Sequence, residues 1–292
     1  MAGVDLPYLY ALLFGALISP TDPIAILAIL KEAELPRTLY VQIGSESLFN
    51  DGIGVVAFVM IFGVATREHP PTVADVSLRL VRETLGGAML GLLLGGATYR
   101  LLRPINEYRV EILLTLALAA GGYVLAERLR VSAPLCMVAA GLLIGNRGRH
   151  LGMSARSRRR LDEFWELADE MLNAVLFLLI GFEVVAIAFT GPHLILGLLA
   201  IAAMRLGRVI SVGAVVSWLR RRQPVEAGTI GLLTWGGLRG GLSIAMALSL
   251  PPGPEKGVIL PVTYLAVLFS ILVQGLTFKP TLKFLLPQGR PP

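Results

Sequence analysis

Apolar stretches separated by short polar loops recur along the whole chain. Nine of them are candidate membrane spans, at about 8–30, 41–65, 78–99, 110–127, 133–145, 165–189, 192–219, 228–250 and 258–285. Most reach the length of about 20 apolar residues that a helix needs to cross a bilayer. The fifth is short, and the sixth begins with an acidic amphipathic lead-in that enters the apolar run near Leu172. Backbone polar groups in lipid must be paired within their own segment, so the pattern predicts an all-α polytopic membrane protein.

Polar residues inside these spans carry the chemistry. In the second, Glu46 and Asn50 are four residues apart, as are Ser47 and Asp51, so the two pairs form adjacent stripes on one helix face. A carboxylate at mid-bilayer costs about 2.5–3.5 kcal/mol on insertion scales. Two carboxylates beside two neutral oxygen-bearing side chains predict a place where a cation binds. The first span carries Ser19-Pro20-Thr21-Asp22-Pro23. Pro20 and Pro23 each remove a backbone donor and crowd the preceding turn, so the helix is expected to break there. Carbonyls freed beside Asp22 would add cation ligands, and Asp22 is also suited to cap the half-helix that follows. The eighth span holds Thr234-Trp235-Gly236-Gly237-Leu238-Arg239-Gly240-Gly241, four glycines around one arginine, and predicts a second interruption.

The seventh span contains Arg205 and Arg208. Arginine stays protonated in proteins, so Arg208 near mid-span demands a buried carboxylate. Glu46 is the best candidate for that partner, with Arg205 a competing claimant. Gly87, Gly91 and Gly95 in the third span form a smooth stripe for close helix packing. Cys136 and Met137 read as apolar filler, and Glu166, Glu170 and Asn173 share a face expected to pair with the preceding arginines.

Composition agrees with the pattern: 55% hydrophobic, 16% charged, mean hydropathy +0.72. The net charge of +6 does not indicate nucleic acid, because the basic residues cluster between apolar runs. One set of alternate loops holds fourteen Lys and Arg, including six arginines in a loop over Gly145–Arg160, and the other set holds four. The positive-inside rule then puts the C-terminus in the cytoplasm. A single cysteine excludes an intrachain disulfide.

Together these motifs resemble a known family. Thr21-Asp22-Pro23, Glu46-Ser47-x-x-Asn50-Asp51, Gly207-Arg208-Val209, Gly237-Leu238-Arg239-Gly240 and Val273-Gln274-Gly275-Leu276 are similar to the sodium/proton antiporters of the NhaP and eukaryotic exchanger type. The resemblance implies two inverted six-helix repeats with two unwound crossing helices, and a core domain moving against a dimerisation domain in an elevator-like cycle. Residues 1–65 and 192–292 would supply core helices, 66–109 a linker region, and 110–191 dimerisation helices. Asp51 would bind a cation or a proton alternately. Ser47 and the Thr21 backbone would add oxygens to the Na⁺ site, and Asp22 would support it. Asn50 would be held by a Glu46–Arg208 ion pair, and an asparagine at this position resembles the electroneutral branch.

No cofactor is implied; Na⁺ (or Li⁺ or K⁺) and H⁺ are the cargo, and pH homeostasis is the expected role. The expected setting is the plasma or inner-membrane bilayer, as a homodimer. Family members have about thirteen helices, so nine spans would begin at the fifth. The expectation is therefore an N-terminally truncated fold, functioning as an antiporter. The alternative is a non-transporting remnant, or half of a split antiporter with an N-terminal partner fragment. An intramembrane aspartyl protease using Asp22 and Asp51 is excluded, because neither Gly-x-Gly-Asp nor Pro-Ala-Leu occurs.

Overall fold

A computed structural model describes residues 6–32, 37–65, 73–105, 107–148, 154–187, 189–221 and 228–285. Among them every regular element is helical. The helices are α1 (Tyr8–Leu17), α2 (Ile24–Glu32), α3 (Arg37–Ala65), α4 (Val73–Leu102), α5 (Tyr108–Arg128) and α6 (Ala133–Leu143). They continue as α7 (Ala155–Ala186), α8 (Gly191–Leu219), α9 (Thr229–Trp235), α10 (Gly241–Leu248), α11 (Pro254–Phe269) and α12 (Leu276–Leu285). A π-helical turn extends α6 over Ile144–Gly148, and another joins α11 to α12 over Ser270–Gly275.

Among the described residues, five stretches are long and apolar enough to span a bilayer: Leu39–Ala65, Val81–Leu102, Tyr108–Arg128, Gly191–Leu219 and Pro254–Leu285. Tyr8–Leu17 and Ala133–Asn146 are apolar but shorter. The first and eighth sequence spans each consist of two short helices, α1 with α2 and α9 with α10. The non-helical residues between them carry the prolines and the glycines. The chain folds into two compact units, one of Met1–Gly54 with Leu179–Pro292, the other Val55–Leu178.

In the second unit α4 packs on α6 through its glycines. A side chain at Gly87 would meet the Ser132 carbonyl at 2.5 Å, one at Gly91 the Cys136 carbonyl at 2.1 Å, and one at Gly95 the Ala140 Cα at 2.9 Å. The Ser132 N–H bonds the Glu83 carbonyl across the pair at 3.0 Å. Cys136 is fully buried beside Ala126 and Ala133, with Leu90, Leu94 and Met137 packed around them. A second cluster joins Leu102, Ile144 and Leu161 with Leu118 and Trp165, and the Trp165 indole donates to Thr115 Oγ1 at 3.1 Å.

The arginine-rich segment departs from the sequence expectation of a loop. Arg149 lies outside the described residues, but Arg156, Arg158, Arg159 and Arg160 occupy the first turns of α7. Ser154 Oγ caps the helix by accepting the Ser157 N–H at 3.1 Å. Arg159 and Arg160 then pair with Glu163 one turn on, at 2.9 and 3.0 Å. The Arg159 hydrogen bond holds the Glu163 carboxyl below the usual carboxylate range. The acidic lead-in and the apolar run behind it are thus one helix of 32 residues. The apolar α5 contains a fully buried carboxyl near its start, Glu111.

In the first unit, α10 ends under Lys256 from α11, whose ammonium donates to the carbonyls of Leu248 and Leu250 at 2.6 and 2.8 Å. Nearby, Tyr264 is buried and donates to the Ile180 carbonyl at 3.3 Å.

The glycine stripe makes a signed prediction. Alanine favours a helix interior over glycine by about 0.5–1 kcal/mol, and a side chain at Gly96 would meet nothing within 4 Å. Gly96→Ala should therefore hold or raise the thermal unfolding midpoint. Gly91→Ala should lower it, by an overpacking cost of about 1–3 kcal/mol, read by thermal unfolding of the detergent-solubilised protein.

Candidate functional site

The first interruption, residues 18–23, follows from the missing donors of two prolines. Pro20 has no N–H for the Ala16 carbonyl, which instead accepts Ser19 Oγ at 2.9 Å and Ser19 N at 3.2 Å. Pro23 has none for the Ser19 carbonyl, and Arg239 reaches across to it. The same Arg239 nitrogen donates to the Pro20 carbonyl at 2.8 Å. The Thr21 carbonyl accepts the Ser47 hydroxyl. Asp22 Oδ1 takes the Ile24 N–H at 3.0 Å and caps α2. The carbonyls of Ala16, Ser19, Pro20 and Thr21 are therefore held by protein donors, whereas the sequence reading left carbonyls beside Asp22 open for a cation.

Two backbone donors of the break turn outward. Thr21 N–H donates to Asp51 Oδ1 at 3.0 Å, and Asp22 N–H to the Leu238 carbonyl of the second interruption at 2.9 Å. Thr21 and Ser47 are buried, while Asp51 and Asn50 are half-buried on the same face of α3. Thr21 Oγ1 lies 2.8 Å from Ser47 Oγ, and Asn50 Nδ2 is 3.4 Å from Thr21 Oγ1, a long hydrogen bond. A hydroxyl has one proton. Because Ser47 donates to the Thr21 carbonyl, Thr21 must donate to Ser47, with Asn50 donating to Thr21. Each hydroxyl oxygen then keeps one lone pair that these bonds do not use.

Three glycines allow these segments to approach. A Cβ at Gly240 would fall 2.5 Å from Asp22 Oδ2, one at Gly237 2.6 Å from Arg208 Nε, and one at Gly54 2.8 Å from Pro20 Cγ. None of the three has a left-handed φ, so closeness alone requires glycine there.

Arg208, 9% exposed, forms an ion pair with Glu46 and donates from Nε and Nη2 to the Leu233 carbonyl at 3.2 and 2.9 Å. The pair borders a cavity of about 450 Å³ that Asn50 also lines, with Val212, Val216 and Leu233 on its apolar side. Asn50 thus shares the cavity with the ion pair, but its amide donor is aimed at Thr21. Among the described residues Arg205 pairs with no carboxylate; it donates to the carbonyls of Thr234 and Gly237 at 3.0 and 3.2 Å. Glu166, Glu170 and Asn173 belong to α7, and the Asn173 amide bonds the Asp169 carbonyl at 2.9 Å.

Sequence reasoning treated Gln274 only as part of a motif. It is fully buried in the π-helical turn, accepts the Ser270 hydroxyl at 2.9 Å and donates to the Trp235 carbonyl at 2.9 Å. A buried amide inside an apolar run was the available signal.

The ion pair can be tested by a double-mutant cycle. Glu46→Gln leaves the buried Arg208 charge without its partner, and should destabilise by about 1–3 kcal/mol. That is below the usual cost for a broken buried pair, since Glu46 keeps 29% exposure. The double variant Glu46→Gln/Arg208→Gln should lose less than the sum of the singles, by about 1 kcal/mol or more, read from unfolding midpoints.

The sequence matches the transmembrane region of the sodium/hydrogen exchanger family across residues 1–284. It is 50% identical over 285 residues to the Na(+)/H(+) antiporter NhaP of Pseudomonas aeruginosa, covering 96% of this chain and 67% of that protein. It is 37% identical over 287 residues to the Na(+)/H(+) antiporter NhaH of Halobacillus aidingensis, covering 96% and 70%. With the antiporter ApNhaP of Aphanothece halophytica it shares 34% identity over 281 residues, covering 95% and 53%. A matched family spanning nearly the whole chain, together with these relatives, shows that the chain belongs to the sodium/hydrogen exchanger family, whose members are secondary transporters and not enzymes.

Proposed function

We propose that the chain exchanges Na⁺ for H⁺, with Asp51 as the carboxylate that holds one or the other. The observation that carries this reading is the hydrogen bond from Thr21 N–H to Asp51 Oδ1 at 3.0 Å, which fixes the carboxylate against a helix break. Na⁺ is a hard cation and takes oxygen ligands. The second Asp51 oxygen and the free lone pairs on Ser47 and Thr21 offer such ligands on one side of the carboxylate. A proton on Asp51 removes its charge, so cation and proton compete for one group.

The other acids near the breaks are engaged. Glu46 is paired with Arg208, and Asp22 caps α2 while lying against the Gly240 backbone. One free carboxylate, beside asparagine rather than a second acid at position 50, supports an electroneutral exchange of one Na⁺ for one H⁺. Li⁺ or K⁺, also bound through oxygen, would compete for the same ligands.

Exchange requires the site to face each side of the membrane in turn. The reading assigns residues 1–65 and 192–292 to a moving core with two unwound helices, and 110–191 to a dimerising scaffold, in an elevator-like cycle within a homodimer. The distribution of basic residues between the apolar runs supports a cytoplasmic C-terminus.

Asp51→Asn should reduce Na⁺-driven proton flux in proteoliposomes to the level of empty liposomes. Flux that persists in this variant and still depends on Na⁺ would overturn the assignment. Ser47→Ala removes one ligand oxygen and the hydroxyl bond to Thr21, and should raise the Na⁺ concentration for half-maximal flux by about tenfold.

A further inference from the structure

We infer that Arg205 is a positioning residue for Asp51, acting through the second helix break. The inference deepens the antiport reading above and, for its kinetic consequence, rests on it.

The argument begins with the carbonyls that α9 leaves behind when it stops at Trp235. A helix end leaves its last carbonyls without intrahelical donors, and in a membrane interior water does not supply them. Here each one is met. The Leu232 carbonyl accepts Gly236 N–H at 2.7 Å, and that of Gly236 accepts Leu238 N–H at 2.9 Å. Leu233 is served by Arg208, and Trp235 by Gln274. Thr234 and Gly237 are both served by Arg205, one from Nη1 and the other from Nη2.

Arg205 therefore grips the end of α9 and the start of the break together. Thr234 is in the last turn of α9, and Gly237 lies within the non-helical segment that leads to Leu238 and Arg239. A single planar guanidinium fixes the separation of those two carbonyls. The residues that follow contact the first break directly: the Leu238 carbonyl takes Asp22 N–H, and Arg239 takes the carbonyls of Ser19 and Pro20. Thr21, between Pro20 and Asp22, is thereby aimed at Asp51. The route from Arg205 to Asp51 consists of hydrogen bonds and two short backbone segments, and Arg205 touches neither Asp51 nor its hydroxyl neighbours.

Sequence logic would give an arginine inside an apolar span an acid for a partner, as Arg208 has Glu46. Arg205 differs, because its hydrogen bonds go to main-chain carbonyls. Its charge supports the backbone of the break and leaves the carboxylates of the site to their own partners.

The test compares wild type with Arg205→Met, Arg205→Gln and Arg205→Lys as purified full chain. Backbone hydrogen exchange at Thr21 and Asp22 is read by mass spectrometry, and Na⁺-driven proton flux is read in proteoliposomes over a range of Na⁺. Loss of the grip should speed exchange of these two amides, which lie on a different segment from the substitution. It should also raise the apparent KM for Na⁺ by about tenfold with a smaller change in kcat. Arg205→Lys should restore part of both effects. Wild-type exchange and wild-type KM in Arg205→Met would overturn the inference. If that variant does not fold, the same outcome in Arg205→Gln, which keeps one neutral donor, would overturn it equally. Should wild type show no Na⁺-driven flux that Asp51→Asn removes, the antiport reading fails, and the exchange rates still decide the role of Arg205.

Discussion

An interrupted helix inside a membrane exposes main-chain carbonyls and amides to a medium with nothing to offer them. Much of the polar architecture of the first unit answers that one requirement. Arg239 satisfies the carbonyls that Pro23 and the cap of α2 leave open, Arg208 and Arg205 satisfy the end of α9, and Asp22 takes the first amide of α2. The two breaks also satisfy each other directly, through the Asp22 N–H and the Leu238 carbonyl. The side chains proposed to handle ions are built onto a scaffold whose first task is hydrogen-bond accounting.

That accounting explains the mixture of charges. Arg205, Arg208 and Arg239 stand against Asp22, Glu46 and Asp51 around the breaks. All three arginines are committed to main-chain carbonyls, so replacing one disturbs chain geometry and charge together. Arg208 does both at once, bonding Leu233 and Glu46, and so ties the second break to α3 four residues before Asn50 and five before Asp51.

Much of this was legible in the sequence, for identifiable reasons. The interruptions follow from proline chemistry and a glycine cluster, both local properties. The pairing of Arg208 with Glu46 follows from the cost of a lone buried charge. The glycine stripe of α4 follows from spacing alone. What escaped was non-local or concealed by composition. Arg205 looks like a residue in need of an acid, because a one-dimensional string does not display the carbonyls of a helix end. Arg156 to Arg160 looked like loop because charges punctuate apolar runs, although Ser154 and Glu163 had the spacing of a cap and a paired turn. Glu111 was passed over near the start of an apolar span. Lys256 entered only as a charge to be counted, and it closes the end of α10.

The π-helical turn at Ser270–Gly275 has a consequence for insertions and deletions. Such a turn carries one more residue than an α-helical turn, and each residue advances an α-helix by about 100°. Gln274 faces Trp235 from within it, and Phe278 and Leu282 beyond it pack against Ile26, Leu30 and Leu232. Removing a single residue there would let the turn relax to ordinary α-geometry with α12 still facing the core, because the wider turn already absorbs that residue; removing a second would turn the rest of α12 away by more than a quarter revolution. The first deletion would instead be felt at Gln274, whose bonds to Ser270 and Trp235 depend on the wider turn.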